Sequence, residues 1–353
     1  MPIQRPSAVT FKPTLKHRID PMNIAILPAG AWGTALAIHL TRNKHTVTLI
    51  PRTLDEAMEL SEHRENKTYF PGHKLPDDLQ IGLEILPALM EADVCVLACP
   101  SKFLRSVCQE ISKELGQARQ LKLFITLCKG LEEKSNALPL QIMQEELPDF
   151  QHAVLSGPTF ASQIAEGQPS AIVLAGESVT PELQALQQAI SGPTLRVYTS
   201  DDAVGVELGG CLKNVYAIAS GICDGLGLRD NSKAALLTRA LHEMVRVGTA
   251  LGGQASTFHG LTGFGDLVLT CNGKESRNRI FGEQFAKGVS VKELIEERKM
   301  TVEGYRTALC FHQICEEKGI EAPILEQIYQ ILFNEQTARE AIVALMSREL
   351  KEE

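Results

Sequence analysis

Lys213 lies within Glu207-Leu208-Gly209-Gly210-Cys211-Leu212-Lys213-Asn214-Val215, a run with helical periodicity and two successive glycines. The apolar stripe of that helix is Leu208, Leu212, Val215, Ala219 and Ile222, and a neighbouring face carries Val206, Gly210, Lys213, Ala217 and Ser220. One cationic side chain therefore rises from a strip of small residues. Glycine inside a helix costs about 1 kcal/mol relative to alanine, so two in a row imply that another body packs close to the backbone. A lysine desolvated in such a place has its pKa pushed down and can deliver a proton to a developing alkoxide. The competing reading is a solvated surface lysine, the usual fate of this residue type.

A second cluster is Gly263-Phe264-Gly265-Asp266-Leu267-Val268-Leu269-Thr270-Cys271, followed by Ser276-Arg277-Asn278. Asp266 follows a glycine and precedes an apolar run, the pattern of an N-cap that satisfies the orphan amides of the next turn. At a spacing of four, Asp266 and Thr270 share one helix face. Ser276, Arg277 and Asn278 combine a planar cation with two neutral polar groups, a set suited to a phosphate monoester. The start of an ordinary surface helix accounts for the same three residues.

A third feature is Pro28-Ala29-Gly30-Ala31-Trp32-Gly33 between an apolar run and a helical one. Such a turn lets the backbone approach the pyrophosphate of a dinucleotide, whose charge is held by free N–H groups at the helix N-terminus. Pro28 replaces the first glycine of the GxGxxG pattern, locking φ and removing one donor, so a distorted turn with weakened affinity is expected. Alternatively, Gly30 and Gly33 only permit a tight strand–helix turn. The next apolar run ends at Leu49-Ile50-Pro51-Arg52-Thr53. Arg52 stands where an acidic residue would take the ribose 2′-OH of NAD, and with no carboxylate expected to oppose it the guanidinium favours the 2′-phosphate of NADP. A solvated arginine at a strand end is the alternative.

The elements that must position these residues fall into two halves. Short β-rich runs at Asn23–Leu27, Thr46–Ile50, Asp93–Ala98, Lys122–Leu127, Ala153–Ser156, Ser170–Ala175 and Leu195–Tyr198 alternate with helical stretches beginning near Gly30, Leu54, Ser101, Ala137, Thr159 and Thr180. That alternation predicts a mostly parallel sheet covered on both faces. Beyond Asp201 the strand signal disappears, and helices are expected from Val204, over Ala234–Leu251, Glu303–Lys318 and Ile324–Phe333. The expected organisation is a flexible extension over 1–21, an α/β dinucleotide-binding domain of Rossmann type over 22–200, and an all-helical substrate domain over 201–353.

Composition narrows the function classes. The chain has 353 residues, with 35 Lys and Arg against 43 Asp and Glu and a net charge of −8. No basic run interrupts that field, so nucleic acid is not an expected partner. No stretch approaches the roughly 18 apolar residues of a membrane span. The nine cysteines are scattered through apolar runs such as Val94-Cys95-Val96-Leu97-Ala98-Cys99. Reduced thiols in a cytoplasmic protein are expected, and no metal site, since CxxC pairs and zinc-like spacings do not occur.

Taken together, Ala31–Ala37, Asn66-Lys67-Thr68-Tyr69-Phe70-Pro71-Gly72, Lys129-Gly130-Leu131-Glu132, Leu155-Ser156-Gly157-Pro158-Thr159-Phe160-Ala161, Leu212–Ala219, Gly263–Leu267, Ser276-Arg277-Asn278 and Val302-Glu303-Gly304 resemble the bacterial NAD(P)-dependent glycerol-3-phosphate dehydrogenases in order and separation. The resemblance covers nearly everything after Met22. It implies reversible reduction of dihydroxyacetone phosphate to sn-glycerol 3-phosphate, a precursor of phospholipids, with NADP preferred or NAD as cofactor. It further implies Lys213 as general acid/base and Lys129 in contact with substrate and cofactor. Gly157, Thr159, Asp266, Ser276, Arg277 and Asn278 are implied as substrate positions. The implied cofactor positions are Ala31, Trp32, Arg52, Ala161, Arg277 and Glu303, beside Gly30 and Gly33 of the turn. Asp266 either bonds a substrate hydroxyl or fixes Lys213. A homodimer is the expected assembly. Two readings compete with this one: a related two-domain dehydrogenase for another hydroxy acid, and a dinucleotide-binding relic without turnover.

Overall fold

The computed structural model describes residues 20–115, 120–350 and 352, so the expected extension lies, but for its last two residues, outside the described residues. Eight strands form one sheet: β1 (Asn23–Leu27), β2 (Thr46–Leu49), β3 (Gln80–Ile81), β4 (Val94–Leu97), β5 (Leu123–Thr126), β6 (Gln151–Ser156), β7 (Ser170–Gly176) and β8 (Leu195–Ser200), in the order β3-β2-β1-β4-β5-β6-β7-β8. All neighbours are parallel except β6 and β7, which run antiparallel with Ala153 opposite Gly176. The seven expected strands are all present. The short β3 was not anticipated; with two residues it carries no alternation to read.

Successive side chains of a strand point to opposite faces, and the helices of this half divide accordingly. They are α1 (Ala31–Arg42), α2 (Leu54–His63), α3 (Ile85–Glu91), α4 (Leu104–Glu114), α5 (Pro139–Glu146), α6 (Ala161–Ala165) and α7 (Pro181–Ile190). Ile24, Ile26, Val94 and Val96 pack with Leu36 and Leu40 of α1 and Leu186 of α7. Ala25, Leu27, Cys95 and Leu97 pack on the other face with Leu89 of α3, Cys108 of α4 and Ile142 of α5. From β1 the chain moves outward through β2 and β3, then returns to the opposite side of β1 as β4. That reversal opens a crevice at the carboxyl ends of β1 and β4, where open α/β sheets bind ligands.

The remaining chain is helical: α8 (Ala203–Gly225), α9 (Asp230–Ala250), α10 (Ala255–His259), α11 (Asp266–Asn272), α12 (Arg277–Ala286), α13 (Glu303–Lys318), α14 (Pro323–Phe333) and α15 (Ala338–Met346). Asp202 caps α8, its carboxylate accepting from Gly205 N–H at 2.9 Å. Every residue of α8 from Ala203 to Ile222 is buried except Val204, the signature of a helix wrapped on all sides. Residues from α9, α11, α12, α13 and α14 share one core with it. The approach of α12 is closest. A methyl group at Gly221 would lie 1.9 Å from the carbonyl oxygen of Arg279, and one at Gly282 would lie 2.1 Å from that of Ile218. Backbone therefore meets backbone, and the first turn of α12 is held against α8.

Candidate active site

Lys213 sits on the inward side of α8, Lys129 on the loop after β5, and Asp266 at the first position of α11. Asp266 is 0 % exposed and receives both lysines. Lys213 Nζ donates to its Oδ1 and Lys129 Nζ to its Oδ2, each at 2.7 Å. Lys213 also donates to Thr270 Oγ1 at 2.8 Å, and Thr270 in turn donates to Asp266 Oδ1 at 3.1 Å. Lys129 makes a further bond to the carbonyl of Gly157 at 3.0 Å, and Thr159 Oγ1 donates to the same carbonyl at 3.3 Å. Gly157 holds φ +149, and a methyl group there would lie 3.1 Å from Ile172 Cα, so glycine suits that position. Asp266 is not the N-cap expected from its position. Gly265 fills that place, and the carboxylate serves the lysines instead.

The adjacent glycines of α8 now have their cause. A methyl group at Gly210 would lie 2.9 Å from Ser156 Oγ and 3.6 Å from Lys129 Cγ, and one at Gly209 would lie 2.8 Å from the carbonyl oxygen of Thr262. The close body inferred from the sequence is the protein itself, with the stem of Lys129 among it. Two ammonium groups on one buried carboxylate leave the cluster with excess positive charge. Burial pushes Lys213 down to about 8, helped by the Lys129 charge and opposed by Asp266. Burial alone would raise Asp266, but the two ammonium groups hold it below its ordinary value. Lys213 is thus a group that can part with a proton near neutrality and recover it.

A chain of amides joins this cluster to the other half of the site. Asn214 Nδ2 donates to the carbonyl of Lys129 at 2.9 Å, Asn278 Nδ2 donates to Asn214 Oδ1 at 2.8 Å, and the N–H of Gly304 donates to Asn278 Oδ1 at 3.0 Å. Ser276 caps α12, accepting from Arg279 N–H at 3.3 Å. Between Ser276 and Asn278 stands Arg277, exposed and without a hydrogen-bond or ion-pair partner among the described residues. Asn278, by contrast, spends both ends of its side chain on Asn214 and Gly304. Glu303, the first residue of α13, accepts from Ser101 N–H at 3.2 Å and Ser101 Oγ at 2.6 Å, beside Gly130. Ala161 begins α6, and its neighbour Ser162 donates to Glu275 Oε2 at 2.5 Å, bringing that turn to the start of α12. Sequence reasoning missed Asn214 and Ser101; a polar side chain on a fully buried helix was the available signal for Asn214.

The turn after β1 fits a dinucleotide. Helix α1 begins at Ala31 with Gly30 as N-cap, no side-chain cap and no acidic residue in its first turn, so the amides of Ala31 and Trp32 are left for an anion. A methyl group at Gly33 would lie 2.8 Å from the carbonyl oxygen of Pro28 and 3.0 Å from Ala98 Cβ, which identifies it as the helix–strand packing glycine. The Leu27–Pro28 peptide is cis, and the turn closes on Pro28 through a 2.8 Å bond from Gly30 N–H to the proline carbonyl. Arg52 stands apart from the lysine cluster, at the end of β2. The expectation that no carboxylate opposes it does not hold: its Nη2 donates to Glu56 Oε1 and its backbone N–H to Glu56 Oε2, both at 3.0 Å. Glu56 lies one helical turn on and reaches back to it. Among the described residues no group of three or more His, Cys, Asp or Glu side chains is placed to hold a metal ion, and no helix is long and apolar enough to cross a membrane.

A sheet of Rossmann type with a glycine-lined turn at its crevice, facing a lysine–aspartate cluster on a helical body, defines a dinucleotide-dependent oxidoreductase. Residues 23–180 match the model of the NAD-dependent glycerol-3-phosphate dehydrogenase N-terminus, and residues 202–343 that of the C-terminus. The chain is 41% identical over 338 residues to a glycerol-3-phosphate dehydrogenase (NAD(P)+) of Janthinobacterium sp. (strain Marseille), covering 94% of this chain and 99% of the relative. It is 42% identical over 334 residues to that of Dechloromonas aromatica (strain RCB), with the same coverage. The crystal structure of glycerol-3-phosphate dehydrogenase from Coxiella burnetii superposes with a TM-score of 0.87 at 34% identity, covering 93% of this chain and 99% of the other. The chain belongs to the NAD-dependent glycerol-3-phosphate dehydrogenase family.

Proposed function

We propose that this chain reversibly reduces dihydroxyacetone phosphate to sn-glycerol 3-phosphate with NAD(P)H, and that Lys213 is its general acid. The observation that carries the reading is the buried Asp266 carboxylate gripping Lys129 and Lys213 by its two oxygens at 2.7 Å each. That grip fixes two ammonium groups side by side, where a ketone oxygen can meet both. When bound, a nicotinamide would supply the hydride for the carbonyl carbon. Lys213 gives its proton to the carbonyl oxygen and, in the reverse direction, takes it back as an amine. The Lys129 ammonium stabilises the oxygen as negative charge develops on it, the kind of fixed electrostatic help that lowers a barrier most. Asp266 positions both lysines, the second of the two roles open to it at the level of sequence.

Arg277 has the charge, the exposure and the freedom to take the phosphate, with Ser276 and Asn278 shaping the turn around it. Binding energy from a phosphate remote from the reacting carbon serves orientation. Gly157 and Thr159 line the substrate side beside Lys129. For the cofactor, Gly30, Ala31, Trp32 and Gly33 take the pyrophosphate and Arg52 the adenosine ribose. Lys129, Ala161, Arg277 and Glu303 lie toward the nicotinamide end. We assign 22–200 to the dinucleotide and 201–353 to the substrate. The nine cysteines, all unpaired, support a reducing cytoplasmic setting, and a homodimer is our working assembly, measurable by sedimentation.

The test is cofactor oxidation driven by dihydroxyacetone phosphate. Lys213→Ala should lose roughly 10²–10⁴-fold in kcat, the range for a general acid, with its thermal midpoint retained. Wild-type turnover in that variant would remove Lys213 from the reaction. Arg277→Ala should chiefly raise KM for the phosphorylated ketone, by a larger factor than for unphosphorylated dihydroxyacetone. An equal loss on both ketones would place the phosphate elsewhere.

A further inference from the structure

At the end of β2 the guanidinium of Arg52 is held by the carboxylate of Glu56 at 3.0 Å, while Glu56 Oε2 accepts the backbone N–H of Arg52 itself. Tyr69 closes the arrangement: its hydroxyl donates to Glu56 Oε1 at 3.3 Å, and the Arg52 guanidinium lies 5.1 Å from the centre of its ring. Glu56, Glu59, Glu65, Lys67 and Tyr69 line a groove there beside Ala29 of the dinucleotide turn. Arg52 therefore does not offer its charge to a solvent-filled site. It offers what remains after a carboxylate has claimed one edge of the fork. Glu56 is the less exposed partner, its side chain 25% accessible against 55% for Arg52, so the arginine comes to the glutamate.

We infer that Glu56 is a specificity-determining residue for the cofactor, setting the balance between NADP(H) and NAD(H) against Arg52. This rests on the reading above that Arg52 faces the adenosine ribose. A 2′-phosphate approaching Arg52 must displace or share the guanidinium with Glu56 and meets a like charge in doing so. A free 2′-OH meets the opposite situation, because the hydroxyl donates and the carboxylate accepts. One residue thus weakens the phosphorylated dinucleotide and supports the unphosphorylated one, and the site takes both.

The experiment measures dissociation constants for NADP+ and NAD+ without substrate, read from the fluorescence of Trp32, the single tryptophan of the chain and the second residue of α1. The same proteins are assayed for kcat/KM with NADPH and NADH. Glu56→Gln keeps size and one acceptor oxygen and removes the charge. It should shift both the affinity ratio and the kcat/KM ratio toward the phosphorylated cofactor by roughly fivefold, the size of an exposed charge-pair effect. Arg52→Gln should shift both ratios the other way. If Arg52→Gln moves the ratios and Glu56→Gln leaves them within about twofold, or moves them toward NAD, Glu56 has no part in the choice and the inference fails. If neither substitution moves them, the assignment of Arg52 to the ribose fails with it.

Discussion

In the proposed role of general acid, Lys213 must be charged to act and buried to act near neutrality, and Asp266 reconciles the two demands. Burial draws its pKa down to about 8, and the Asp266 carboxylate keeps it from falling further. The reduction direction needs the ammonium form, so kcat/KM for ketone reduction should be level at lower pH and decline as pH rises through about 8, while alcohol oxidation should rise through the same value. Asp266→Asn removes the charge that favours the ammonium form, which lowers the Lys213 pKa and moves both limbs to lower pH. Parallel pH–rate profiles in both directions check the sign; a limb that moves upward in Asp266→Asn would contradict it. At this scale much was legible. Glycines beside a helical lysine marked Lys213, and a spacing of four joined Asp266 to Thr270. What the residue types do not reveal is where a carboxylate points. Asp266 has the sequence position of a cap and turns to the lysines, and Glu56 is four residues from Arg52 yet was not read as its partner, because a long exposed side chain has many rotamers to choose among.

Helix α8 is the element on which the site is assembled, and its glycines do different work. Gly209 faces the backbone carbonyl of Thr262 at 2.8 Å from an added methyl group, whereas Gly210 faces the Ser156 hydroxyl and the flexible stem of Lys129. Backbone yields less readily than a side-chain tip. Gly209→Ala should therefore destabilise the fold by about 1–3 kcal/mol, as overpacking does. Gly210→Ala, which gains helix propensity, should be nearer neutral in stability and keep its activity, because its one tight contact is the Ser156 hydroxyl and Lys129 Cγ at 3.6 Å is in ordinary contact. Urea unfolding with a parallel activity assay separates the two, and equal stability of both variants would count against the distinction. Helix α13 was legible to the residue, whereas α9 starts at Asp230, four residues before the expected Ala234. The short α10 was not legible, since five residues carry too few turns for a period to be read, and of α11 and α12 only the Asp266–Thr270 face and the start at Ser276 were read, not their extents.

Across the whole molecule, the halves of the sheet are fastened by histidines that the chemistry does not use. His45 Nε2 lies 3.0 Å from the carbonyl of Ala189 and its Nδ1 accepts from Met22 N–H at 3.1 Å, while His39 Nε2 lies 2.7 Å from the carbonyl of Ile190. Both imidazoles therefore sit on the carboxyl end of α7. Their pKa values are lowered, first by burial. The unfolded chain binds protons near 6.5 while the folded one resists them, so stability should be full above that pH and fall progressively below it. His45→Gln keeps a donor and an acceptor without titrating, and its thermal midpoint should fall less steeply between pH 7 and 5 than that of the wild type. Identical slopes would show that these groups are not the source. The alternating strands made the sheet itself legible from sequence. This fastening was not, because it joins residues about 150 positions apart through carbonyl groups that every sequence possesses.

The amide chain through Asn214 and Asn278 bears on motion. It couples the Lys129 loop, helix α8 and the first turns of α12 and α13 through four successive backbone and side-chain groups, so these pieces share one degree of freedom instead of having one each. Arg277, whose side chain is tied to nothing among the described residues, stands outside that chain of bonds. Lys129 is thereby held in register with the helix that carries Lys213. The proposed reactive centre is therefore assembled before any ligand arrives.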